Sequence, residues 1–244
     1  MGAATPKTIA LVTGANQGLG FEIAKKLSLE NEGYHVIMAG RRKEAVDEAV
    51  GKLESLGCSV EGLVMDVTSD QSIAEAADTV RSRHGHLDVL INNAGINASA
   101  GSPREQWMGI FNTKVFGVAL ITDAFLPLLE KSTLTKRIVM MSSTLGSLGK
   151  KLDKTGVYYQ VDTPIYATSK AALDMLTLHY VFRYRDDPTW KINLCCPGYC
   201  STNMNGFHGA DDPQLGAVNA CRLATLGPDG ETGTWTDRHG SIPW

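Results

Sequence analysis

The chain carries little net charge. Its 244 residues include 23 Lys and Arg against 26 Asp and Glu, a formal balance of −3, with the basic residues scattered. No basic face is therefore available to hold a nucleic-acid backbone or an anionic membrane surface. Long apolar runs are also missing, since no segment reaches the roughly 18 consecutive apolar residues of a membrane span. The opening MGAATPKTIALVTGA has no charged region followed by a long apolar stretch, and Pro6 stands where a myristoylation signal needs Ser or Thr. These absences predict a cytoplasmic protein with no membrane or nucleic-acid partner. Cysteine is sparse and odd in number: five in all, three of them within Cys195-Cys196-Pro197-Gly198-Tyr199-Cys200. No second Cys/His pair at zinc spacing accompanies them, so reduced and packed thiols are expected, with no metal and no disulfide. Internal repeats and low-complexity linkers are lacking too.

What is present is ordinary globular composition, 43% apolar and 20% charged, enough for one domain spanning residues 1–244. Short β-rich runs alternate with longer amphipathic stretches. Strands are expected at 8–13, 34–39, 59–65, 87–92, 136–142, 190–196 and 232–236, and helices near 19–31, 43–56, 69–84, 106–131, 165–185 and 213–225. The central strands are continuously apolar, as when both faces of a parallel sheet are covered. The pattern predicts an α/β doubly wound, Rossmann-type sandwich around a mostly parallel sheet of about seven strands. Segments 144–164 and 198–212 break the rhythm after strand ends, where open α/β sheets bind ligands, and with 94–107 they are the expected substrate walls.

The first strand runs into Thr13-Gly14-Ala15-Asn16-Gln17-Gly18-Leu19-Gly20 and then into a helix. Glycines at 14, 18 and 20 allow a tight turn and close backbone approach, and the helix start offers unpaired N–H groups and a positive dipole end to a pyrophosphate. A glycine trio also serves ordinary turns, and the strand–turn–helix setting is what favours a nucleotide site. At the end of the second strand the chain reads Ala39-Gly40-Arg41-Arg42. A guanidinium pairs with a ribose 2′-phosphate, whereas an acidic residue would accept from a free 2′-OH. Arginines at a helix start are mildly unfavourable unless an anion is near.

The G-x-x-x-G-x-G spacing resembles the short-chain dehydrogenase/reductase family, and the likeness extends over nearly the whole chain. Asp66-Val67 resembles the family's adenine-contacting pair, Asn93-Ala94-Gly95 its cofactor-bracing turn, and Pro197-Gly198 with Thr202 its nicotinamide-side loop. Tyr166-Ala167-Thr168-Ser169-Lys170 resembles the Y-x-x-x-K signature, and Ser143 the catalytic serine. The resemblance implies an NADP(H)-dependent oxidoreductase acting on a small carbonyl or alcohol substrate, with Arg41 and Arg42 at the 2′-phosphate. The closing Gly240-Ser241-Ile242-Pro243-Trp244 leans the comparison toward carbonyl-reductase-like members.

In that reading Ser143 polarises the substrate oxygen, Tyr166 is the general acid/base, and Lys170 lowers the phenol pKa and holds the nicotinamide ribose. A free phenol titrates near 10. An ammonium about 4 Å away at an effective dielectric near 20 favours phenolate by about 4 kcal/mol. One position departs from the family: Lys114, within Asn112-Thr113-Lys114-Val115-Phe116-Gly117, stands where an asparagine usually supports a proton-relay water. Asn112 cannot stand in for it, because two helical residues turn about 200°. The alternative reading is thus an NADP(H)-binding protein with altered catalysis. Segment 150–163, with Tyr158 and Tyr159, lengthens the Ser143-to-Tyr166 interval and is expected to cap the pocket or alter subunit contacts. The resemblance leaves monomer, homodimer and homotetramer open.

Overall fold

The computed structural model describes residues 7–97 and 100–244. Pro6, and residues 98 and 99 of the 94–107 wall, lie outside them. One sheet contains β1 (Thr8–Thr13), β2 (Tyr34–Gly40), β3 (Val60–Val64), β4 (Val89–Asn92), β5 (Lys136–Met141), β6 (Trp190–Cys195), β7 (Trp235–Asp237) and β8 (Gly240–Ser241), in the order β3-β2-β1-β4-β5-β6-β7-β8. Every pairing is parallel except β7 with β8. The winding direction reverses between β1 and β4, which opens a crevice at the carboxyl ends of those strands.

Helices cover both faces. Against one lie α1 (Gly18–Glu30), α2 (Lys43–Glu54) and α8 (Pro213–Ala224), which bury Ile23, Ala24, Leu27, Leu53 and Ala217 against Ala10, Val12 and Met38 of the sheet. On the other lie α3 (Asp70–His84), α5 (Gly117–Leu129) and α7 (Pro164–Arg183), with Ile73, Val80, Phe125 and Leu173 packed on Leu11, Leu90 and Ile138. Burial on both faces accounts for the unbroken apolar character of the central strands. Local signals set the ends of α3: Ser69 caps the start by accepting from the Ser72 N–H, and Gly85, at φ 78°, ends the helix in the left-handed region.

The mostly parallel sheet of about seven strands is present, with eight strands among the described residues. Two finer expectations change. The last full strand begins at Trp235 instead of 232. Gly233 adopts φ 71°, and Thr232 and Thr234 spend their polar groups on Ile192 and Asn193, so extended pairing starts only after them. The expected helix 106–131 starts earlier, as α4 (Pro103–Phe111), behind a Ser102/Glu105 capping box. A π-helical turn at Asn112–Phe116 then joins it to α5, and a short α6 (Leu148–Leu152) lies in the segment after β5. The stretch Pro103–Leu129 is long and apolar enough to cross a membrane by composition alone, but half of its most apolar window is buried inside the protein.

Candidate active site

The glycine turn is built by close packing. Gly14 and Gly18 have φ of 65° and 55°, and a Cβ on Gly14 would lie 2.9 Å from the Ala94 Cα. At Gly20 a Cβ would come within 2.4 Å of the Gly14 carbonyl oxygen. Only glycine permits this approach. Gln17, at the start of α1, makes no side-chain cap, so the first N–H groups of the helix face the crevice uncapped. Asn93 braces the turn from β4: its amide donates to the Thr13 and Gly14 carbonyls at 2.8 and 3.3 Å, while Thr13 Oγ1 accepts from the Asn93 and Ala94 N–H groups, both at 2.9 Å.

A Cβ on Gly40 would sit 2.9 Å from both Asn16 Oδ1 and Val46 Cγ2. A side chain there would require Asn16 or Val46 to shift. Arg41 and Arg42 beside it are exposed, and among the described residues neither makes an ion pair. Asp66 holds its own turn, accepting from Thr68 N–H and Oγ1 at 2.9 and 2.7 Å, and Val67 follows it against Gly117. From the far side, Asn203 donates to Gln17 Oε1 at 3.0 Å and Thr202 packs near Gly18, so the segment after Pro197-Gly198 lies over the glycine turn. Gly198, at φ 84°, makes that reversal with Asp211 against it. An uncapped helix start, a cradle that excludes any Cβ and two uncommitted guanidiniums fit a dinucleotide carrying an extra phosphate.

Ser143 follows β5 and caps a 3-10 turn at Thr144–Gly146, accepting from the Leu145 N–H at 3.3 Å. Tyr166 and Lys170 occupy the first two turns of α7, opposite Ser143. Protein surrounds the Tyr166 phenol although part of the ring stays accessible, and burial pushes its pKa up to about 12, with the Ser143 hydroxyl pulling the other way. Lys170 is buried and donates to the Met141 carbonyl at 2.5 Å; desolvation brings it down to about 8. Its Nζ lies 5.9 Å from the Tyr166 ring centre. Burial thus dominates the phenol instead of the simple ammonium-phenol attraction expected from spacing, and the Lys170 ammonium is turned to the Met141 carbonyl.

Lys114 reaches the same place from the π-helical turn. Its Nζ stands 4.5 Å from the Tyr166 ring centre, and a Cβ on Gly95 would lie 2.9 Å from it. The side chain is buried, and burial together with the charge on Lys170 holds it well below the usual lysine range. Asn112 is exposed, in keeping with its exclusion as a substitute. A π-turn in a helix often marks a functional position, and this one directs Lys114 inward.

The sequence reading missed Asp174, one turn beyond Lys170 on the same face of α7. It is buried, and it accepts from Ser142 Oγ at 2.5 Å. The i, i+4, i+8 spacing of Tyr166, Lys170 and Asp174 was the available signal. All five cysteines are free and buried. His35, Glu61 and His84 also converge, at the amino ends of β2 and β3. There Glu61 lies 2.7 Å from His84 Nε2 and 3.5 Å from Arg83, an arrangement that already balances its charge.

A hydroxyl, a phenol and a buried amine at the switch point of a doubly wound sheet, beside a glycine cradle, define a dinucleotide-dependent oxidoreductase. The short chain dehydrogenase family matches residues 8–213. The short-chain dehydrogenase anuI of Penicillium roqueforti is 40% identical over 232 residues, covering 92% of this chain and 91% of that protein. Carbonyl reductase [NADPH] 1 of Mus musculus is 29% identical, covering 92% of this chain and 93% of its own. The NADPH-bound carbonyl reductase from chicken fatty liver superposes with a TM-score of 0.81 at 26% identity, covering 99% of this chain and 100% of that one. The chain belongs to the short-chain dehydrogenase/reductase family.

Proposed function

We propose that this protein reduces a ketone or aldehyde to an alcohol with NADPH. The observation that carries the reading is the convergence of Ser143, Tyr166 and Lys170 beside the glycine cradle. Gly14, Asn16, Gln17, Gly18, Leu19 and Gly20 would receive the pyrophosphate, and Arg41 with Arg42 the 2′-phosphate. Asp66-Val67 would flank the adenine, Asn93-Ala94-Gly95 the riboses, and Pro197-Gly198 with Thr202 the nicotinamide end. When bound, NADPH supplies the hydride.

The residues then divide the remaining work. Ser143 donates to the carbonyl oxygen and stabilises the charge that develops on it. Tyr166, protonated at neutral pH, gives its proton to that oxygen. Lys170, still largely protonated below about pH 8, favours the phenolate left behind and holds the nicotinamide ribose. Leu148, Leu152 and Val157 on one wall and Tyr199, Met204 and Phe207 on the other are exposed apolar side chains. They favour a substrate with a substantial hydrocarbon surface.

Turnover tests this directly. A panel of aliphatic, aromatic and cyclic ketones and aldehydes should consume NADPH, and NADH far more slowly. No consumption with any of them would contradict the reading.

A second reading is favoured by Lys114 under the Tyr166 ring: a protein that binds NADP(H) but whose catalysis is redirected or lost. It predicts NADPH binding without turnover, and turnover on Lys114→Asn.

A further inference from the structure

Asp174 is a costly residue to keep in place. It is 5% exposed, on a helix packed against the sheet, and its Oδ2 is buried with no hydrogen-bond partner among the described residues. An unmatched buried carboxylate oxygen is expensive unless its charge is used. Its other oxygen is engaged, accepting from Ser142 Oγ at 2.5 Å. Ser142 immediately precedes Ser143, so this bond ties the end of β5 to the helix that carries Tyr166 and Lys170. The turn after Ser143 is fitted to the same carboxylate: a Cβ on Gly146 would lie 2.7 Å from Asp174 Oδ2 and 2.9 Å from the Lys170 Cβ. Only glycine at 146 lets loop, carboxylate and lysine stem share that space.

We propose that Asp174 is a positioning residue, a buried carboxylate that fixes the Ser143 turn through Ser142 and supplies the counter-charge holding Lys170 as an ammonium. The ionisable groups around it are Lys170 and Tyr166 on its own helix, Cys196 after β6, and Lys114 on the π-turn beyond Lys170. Of these, Lys170 is the cation that acts on it. Desolvation raises Asp174 to about 7, with the Ser142 bond and Lys170 opposing the rise, and Asp174 in turn raises the Lys170 pKa against desolvation. Between about pH 7 and 8 both groups are mostly charged, and the pair is self-compensating.

The kinetic part of the proposal rests on the carbonyl-reductase reading, so the experiment has a second arm that needs no turnover. Asp174→Asn keeps an acceptor for Ser142 but removes the charge, whereas Ser142→Ala keeps the charge and removes the bond. For NADPH-dependent carbonyl reduction, Asp174→Asn should move the alkaline fall of kcat/KM about one pH unit lower, roughly a fivefold loss at pH 8 that approaches tenfold at higher pH. Ser142→Ala should be several-fold slower at every pH, with its fall where the wild type has it. In the other arm, thermal unfolding is followed from pH 5 to 8.5. A carboxyl whose folded pKa is raised withdraws stability as pH climbs through that value, so the Tm of Asp174→Asn relative to wild type should rise across the range.

A Tm difference that stays flat with pH would overturn the proposal, because removing the carboxylate would then change the titration of neither Asp174 nor Lys170 and the two would not be coupled, and it decides even if wild type reduces no carbonyl. With an active wild type, an Asp174→Asn pH profile superimposed on it would equally overturn the proposal. A silent wild type with the expected Tm trend would remove the reductase reading and leave the buried charge standing.

Discussion

Tyr166 sits between two buried lysines, and the three differ in what their surroundings do to them. Burial raises the phenol and depresses both amines, Lys114 further because Lys170 repels it. The order of these groups sets a direction. A phenol pushed up to about 12 stays protonated at neutral pH, so the form that reduction needs is populated while the phenolate that oxidation needs is scarce. The reductive kcat/KM should therefore be flat through neutrality and fall above about pH 8, as Lys170 loses its proton, while alcohol oxidation should keep rising with pH. Steady-state rates in both directions from pH 6 to 10 check this. At the cofactor end, Arg41→Ala should raise the KM for NADPH at least tenfold and leave that for NADH nearly unchanged, since a charge-assisted bond to the 2′-phosphate serves only one of them.

The elements that place these residues differ in how far their sequence announces them. The first βα turn was legible because its glycines have a steric reason: Gly14, Gly18 and Gly20 hold positions where a Cβ or a negative φ would not fit. Gly20→Ala puts a methyl against the Gly14 carbonyl oxygen, and a loss of roughly 2 kcal/mol or more, together with NADPH binding, is expected from melting curves with and without cofactor. The start of α7 was legible through the spacing of Tyr166 and Lys170. The π-turn at Asn112–Phe116 was not, because apolar periodicity continues smoothly from α4 into α5 and nothing in composition distinguishes a five-residue register change. Asp174 escaped for a different reason: an acidic residue in a helix reads as solvent-facing until the Ser142 turn is seen to close over it.

At the scale of the whole molecule, continuously apolar strands and alternating helices were enough to give the doubly wound sheet, since covering both faces dictates that pattern. The last strands were less legible: β7 and β8 are three and two residues long, and the approach to β7 is tied to β6 by Thr232 and Asn193, whose side chains accept from the Ile192 and Thr234 N–H groups. The fold brings the uncapped start of α1, the arginines after β2 and the segment after β6 to one crevice. Binding NADPH should therefore stabilise the whole chain, by about 2.7 kcal/mol at a hundredfold excess over Kd, visible as a concentration-dependent rise in Tm. The most direct measurement of the central claim is NADPH-dependent carbonyl reduction by Tyr166→Phe, with cofactor binding measured on the same sample. Tyr166→Phe should bind NADPH within a few-fold of wild type and turn over at least a hundredfold more slowly; an unchanged rate would rule out Tyr166 as the proton donor.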